Sequence, residues 1–270
     1  MNKYSRWVAL LALCTLMPFG ESAWATLDAQ PFSSLSVAID KAGRQRMLTQ
    51  RIIKAYSQEL LEVEPQQSQQ QREQAIALLD QQLDELKQFA PTDKVRNALG
   101  VVDALWIPFK KRASSKVSRA GLESLSTSSD EVLAASHRVV LLLEDLSTNN
   151  LGHLVNIAGR QRMLSQRIAK LYMLRSLGIS DDAVVMALDK ASSEFRTALH
   201  ELETAHENTP QISAELADVK RNWSVFESSF RLRDGNYTPF LIARYSERVL
   251  SGMNKITGMY AAINSGNTAY

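Results

Sequence analysis

The 270 residues carry 31 lysines and arginines against 29 aspartates and glutamates, a net charge of +2 that gives no bulk attraction to nucleic acid. The one cysteine, Cys14, falls in the N-terminal leader described next, so the chain after it holds no disulfide, cysteine nucleophile or thiolate metal site. Glycine is sparse and Leu, Ala, Gln, Glu, Lys and Arg dominate, which is the composition of an all-helical protein.

Residues 1–25 read as a secretory signal peptide. Lys3 and Arg6 make a positive start, Trp7 to Phe19 is an apolar run, and Ala23-Trp24-Ala25 is a small-x-small cleavage site. The apolar run is shorter than the roughly 20 residues of a spanning helix, and no later stretch is apolar enough to span. The expected location is therefore periplasmic, after export through the inner membrane and cleavage.

Helices are predicted near 33–64, 72–90, 93–113 and 130–147, then 151–177, 181–207, 210–231 and 239–264. Pro65 and the glutamine-rich stretch behind it mark the end of the first, Pro91 ends the second, and the serine-rich segment 124–131 offers a cap for the fourth. In the second half Ser180, Thr209 and Thr238 each precede a favoured first-turn residue. Four helices followed by four predict two tandem four-helix bundles, 26–148 and 149–270. The segment 141–167 has no proline, so the fourth and fifth helices could form one continuous rod with the bundles end to end. A turn at 147–150 would set them side by side instead.

The halves are related by a repeat. Ala42 to Arg51 reads AGRQRMLTQR and Ala158 to Arg167 reads AGRQRMLSQR, ten positions with one Thr-for-Ser exchange. Trp106 and Phe109 on the third helix match Trp223 and Phe226 on the seventh, and their i, i+3 spacing points to core rather than to a ligand cage. On the fourth and eighth helices, His137-Arg138-Val139 is similar to Glu247-Arg248-Val249.

Packing needs apolar periodicity, not repeated arginines and glutamines. On a helix Ala42, Arg46, Thr49 and Ile53 share one face, with Gly43 and Gln50 on its flank. A glycine inside a helix costs about 1 kcal/mol relative to alanine, and the chain accepts one at Gly43 and again at Gly159. Ala42 and Ala158 add to this removal of bulk, so another helix backbone can approach one turn before Arg46 or Arg162. A guanidinium in such a seam needs a partner, and its planar fork suits an oxyanion. The candidate ligand-binding residues are accordingly Arg46, Arg162, Gly43, Gly159, Ala42, Ala158, Gln50, Gln166, Arg51 and Arg167. Arg44, Arg160, Lys54 and Lys170 are expected on solvated faces.

The motif copies, each followed by Ile-x-Lys (Ile52 and Lys54, Ile168 and Lys170), resemble the signature helix of the PilJ/NarX-type sensor domains. These are the periplasmic input modules of type IV pili chemotaxis transducers and of nitrate/nitrite sensor kinases. The resemblance implies a four-helix bundle and an arginine, falling on Arg46 and Arg162, that binds nitrate between two equivalent helices at a dimer interface. A sensor of a small oxyanion follows, nitrate or nitrite leading, that acts through a separate membrane-bound receptor or transporter and could form a homodimer. The competing reading is a helical scaffold of the cell envelope with no small ligand. An enzyme is not expected: HELETAH at 200–206 is spaced wrongly for a zinc helix, no phosphate or dinucleotide loop occurs, and no metal or cofactor is called for.

Overall fold

The computed structural model describes residues 35–147, 150–179, 182–231 and 238–264. The leader 1–25 and the Ser180–Asp181 cap lie outside them. Eight helices and no strand make up the described residues: α1 (Leu35–Leu60), α2 (Pro65–Phe89), α3 (Asp93–Ala113), α4 (Arg119–Glu144), α5 (Asn150–Ser176), α6 (Asp182–Glu203), α7 (Pro210–Arg231) and α8 (Pro239–Asn264). They form one compact unit.

Local chemistry sets the ends. Thr92 and Thr209 accept from the backbone N–H of Val95 and Ile212 at 3.3 and 3.2 Å, side-chain caps that start α3 and α7. Two boundaries differ from expectation. Helix α2 begins at Pro65 itself, because a proline at the first helical position gives up only a donor that would have no partner there; the glutamines behind it are helical. Helix α4 begins at Arg119, with Ser118 accepting from Gly121 N–H at 3.1 Å. The serine-rich stretch thus lies inside α4, where Thr127, Ser128 and Ser129 turn their hydroxyls back onto carbonyls three or four residues earlier instead of capping. Thr238 does not cap with its side chain either. Its backbone N–H donates to Tyr172 Oη at 2.9 Å, just as Ser118 N–H donates to Tyr56 Oη at 2.9 Å.

Helices α4 and α5 are not one rod. Helix α4 stops at Glu144, with Asp145 and Leu146 in a turn, and α5 starts at Asn150. Helix α5 packs along α1 instead of extending α4. Of the two arrangements open to the sequence, the side-by-side one is found. The helices α1 and α5 are the central pair: α1 is covered by α2, α4, α5 and α8, and α5 by α1, α6, α8 and α4.

That position explains an unusual burial pattern. Every residue from Lys41 to Gln58 is buried, charged ones included. Arg44, Lys54 and Lys170, expected on solvated faces, are buried as well, because neighbours cover the central helices on all sides; Arg160 remains part-exposed. The apolar core lies around this pair. Trp106 and Phe109 stack in the first half, and Trp223 lies flat on Phe195 at 3.9 Å between ring centroids in the second.

Candidate functional site

The two motif copies meet. Where α1 crosses α5, a Cβ built on Gly159 would stand 4.0 Å from Gly43 Cα, with Ala42 and Ala158 fully buried beside them. The space left by the absent side chains is filled by guanidinium groups. A Cβ at Gly43 would lie 3.3 Å from Arg46 Nη2 and 3.6 Å from Arg162 Nη2, and one at Gly159 would lie 3.2 and 3.7 Å from Arg162 and Arg46 respectively. Both arginines are essentially inaccessible.

Each reaches across to the other helix. Arg46 Nη2 donates to Asn156 Oδ1 on α5 at 2.8 Å, and Arg162 Nη2 pairs with Asp40 Oδ1 on α1 at 2.6 Å. Asp40 and Asn156 occupy the same place in the two repeats, six residues before the arginine. The remaining terminal nitrogens turn to the last helix of their own half. Arg46 Nη1 meets His137 Nδ1 on α4 at 3.0 Å, and Arg162 Nη1 donates to Asn254 Oδ1 on α8 at 3.2 Å. His137 therefore corresponds to Asn254, two helical turns from the Glu247 suggested by sequence similarity. A local run of Arg-Val is too short to fix register between diverged helices.

The pseudo-symmetry breaks in charge. Arg162 has a carboxylate, and Arg44 shares it at 3.0 Å. Burial pushes the Asp40 carboxyl up, but Arg162 and then Arg44 outweigh it and hold the group below its usual range. Among the described residues Arg46 has only neutral hydrogen-bond partners, and its Nε has none. Burial, and then the Arg162 and Arg160 charges, pull its pKa down to about 9, against the attraction of Glu144, which Asn156 bonds at 2.5 Å. Burial and the adjacent Arg46 likewise lower that of His137, which keeps the ring neutral.

The other candidates separate from this seam. Arg51 forms a two-pronged contact with Glu247 of α8, at 2.9 and 2.7 Å, and Lys54 joins the same carboxylate. Burial raises the Glu247 carboxyl, and Arg51 and Lys54 bring it down to about 2. Arg167, the counterpart of Arg51, has no ion pair among the described residues. Gln50 is buried with both amide atoms unbonded, and Gln166 donates to Ser246 O at 3.3 Å; neither is bonded to the arginine pair.

A cavity of about 390 Å³ opens between α4, α5 and α6, with Arg46 and Arg167 both in its lining. Asp40, Asn156, His137, Asn254 and Glu247 were not singled out from the sequence as site residues. The repeat alignment holds a signal for the first two, since they stand at one register beside the motif; nothing local marks the other three.

Lys170 is the counterpart of Lys54 but, among the described residues, has no carboxylate within ion-pairing distance. Burial depresses its pKa to about 8, against the attraction of Asp130. A base depressed in the folded state destabilises that state while charged, so the penalty is complete below about pH 8 and vanishes above the ordinary lysine value of 10.5. Thermal denaturation is expected to show that Lys170→Met raises the melting temperature at pH 7, with an advantage over the wild type that shrinks as pH rises to 10.5. An advantage independent of pH would contradict this.

The fold and seam define a duplicated helical module whose paired central helices put two arginines at one crossing. The chain belongs to the PilJ family, the type IV pili methyl-accepting chemotaxis transducer N-terminal domains, matched over 33–133 and again over 147–237 as two tandem copies. It is thus of the sensor-module class. No curated protein and no solved structure matches the chain. No helix among the described residues is long and apolar enough to cross a membrane.

Proposed function

We propose that the chain is a periplasmic sensor module that takes a small oxyanion at Arg46 and signals through a separate membrane-bound receptor or transporter. One observation carries the reading: Arg46 is a buried cation with only neutral partners, beside a second buried arginine. A buried charge with no ion pair among the described residues is costly, and an anion there would relieve both the desolvation and the repulsion from Arg162. It would also tie α1 to α4 and α5, so the filled and empty states differ in helix packing, as a ligand switch requires. Nitrate and nitrite are the first candidates, on the family resemblance. Because the motif helices meet within the chain, the site needs no second copy.

The Arg162–Asp40 pair favours the scaffold reading, since it shows half of the seam sealed by the chain's own carboxylate. Thermal-shift measurements at constant ionic strength separate the two. Nitrate or nitrite at about 100 times Kd stabilises by about 2.7 kcal/mol, several degrees in melting temperature, whereas chloride does not; Arg46→Gln abolishes the shift while helix content is kept. No shift with any anion would leave the scaffold reading in its place.

A further inference from the structure

We propose that the cavity between α4, α5 and α6 binds an organic carboxylate with an apolar body, one per chain. This rests on the reading of Arg46 as an anion site and names the class of anion. Arg46 lies in the cavity lining, buried, its Nε without a partner. Arg160, Arg167 and Lys190 add three basic groups against the acidic Asp130 and Glu194, and Glu194 is already bonded to Arg160 at 2.9 Å. The cavity thus keeps a surplus of positive charge around Arg46 and Arg167.

Apart from His137, which is bonded to Arg46, the rest of the lining is apolar: Leu133 and Ala134 from α4, Met163 and Leu164 from α5, Ala187 and Ala191 from α6. At about 390 Å³ the space falls at the lower end of small-molecule sites, which run from about 300 to 1,000 Å³. A four-atom inorganic anion would leave most of it, and all of its apolar wall, to water. A carboxylate with a short hydrocarbon body would engage the arginine and displace that water.

The twin position offers no such site. There Asp40 takes Arg162 and Arg44, and Glu247 takes Arg51 and Lys54, so the chain's own carboxylates stand where a ligand's would. In the cavity half the equivalent of Asp40 is the neutral Asn156, and Arg167 is left without an ion pair among the described residues. Duplication has thus given one half an internal carboxylate for its arginines and left the other half, among the described residues, without one.

Calorimetric titration of the purified protein with acetate, butyrate, hexanoate and benzoate, beside nitrate and hexylammonium, tests this. The expected result is a stoichiometry of one per chain, affinity rising about fourfold per methylene from acetate to hexanoate, at about 0.8 kcal/mol per buried methylene, and no binding of hexylammonium. Ala187→Trp and Ala134→Trp, which fill the cavity from α6 and from the exposed side of α4, weaken hexanoate at least tenfold with helix content unchanged. Asn156→Asp, which gives Arg46 its own carboxylate, does the same. Nitrate binding with no gain from hydrocarbon length would overturn the ligand class and leave the anion-sensor reading standing. No binding of any anion would overturn both. Hexanoate binding insensitive to both tryptophans, or two sites per chain, would overturn the location.

Discussion

Asp40→Ala is expected to lower the melting temperature by about 10 °C. Asp40 is the carboxylate for Arg162, which is wholly inaccessible, and it also holds Arg44. Deleting it strands a cation in the centre of the α1–α5 seam, and breaking a buried pair on one side costs about 3–5 kcal/mol. At about 2–4 °C per kcal/mol for a domain of this size, that is a large shift. Asp40→Asn distinguishes charge from hydrogen bonding: it makes the position resemble Asn156, which serves Arg46, and is expected to cost clearly less than alanine. Equal losses would mean that Asp40 acts by its charge alone, since asparagine keeps the shape and an acceptor oxygen. Acidification should reproduce part of the effect. The Asp40 and Glu247 carboxyls are held below their ordinary values, so the stability they confer is complete above those values and is lost as pH falls through the folded ones.

Glu247→Ala has the second large expected effect. One carboxylate on α8 compensates Arg51 and Lys54 of α1, and Lys54 is fully buried. Its loss leaves two cations between the halves, with a cost again of about 3–5 kcal/mol. The double replacement Glu247→Leu/Lys54→Met should recover part of the loss by removing charge from both sides, since a buried pair exchanged for apolar groups is often neutral or better. Chemical denaturation of the single and double variants measures this directly. A double variant as unstable as the sum of the two single changes would contradict the ionic account.

The repeat made the seam legible in advance. Two buried glycines beside two arginines had no packing explanation on an isolated helix, and the structure gives them one: each glycine makes room for the guanidinium of its own helix and that of the other. Helix number and order were equally plain, because proline and threonine starts recur at fixed places. What remained hidden was the environment of those helices. Lys54 and Lys170 sit at positions that an amphipathic helix would expose, and only the knowledge that α1 and α5 form the central pair shows why they are buried. The compensating charges lie far off in sequence; Glu247 answers Arg51 from the last helix. Serines at 126–129 read as a cap because the same hydroxyls that cap helix starts can also bond back along a helix interior, and the sequence does not choose between the two.

One chain supplies both halves of the arginine seam. Gly43→Cys/Gly159→Cys, made with Cys14→Ser where the leader is present, tests this, because a Cβ at Gly159 would stand 4.0 Å from Gly43 Cα, which puts the two Cα atoms at most about 5.5 Å apart, within reach of a disulfide. After mild oxidation, intact-mass measurement and a non-reducing gel should show a monomer with both thiols consumed by an internal disulfide. Free thiols, or disulfide-linked dimers alone, would contradict the account and would mean that the motif helices meet between chains.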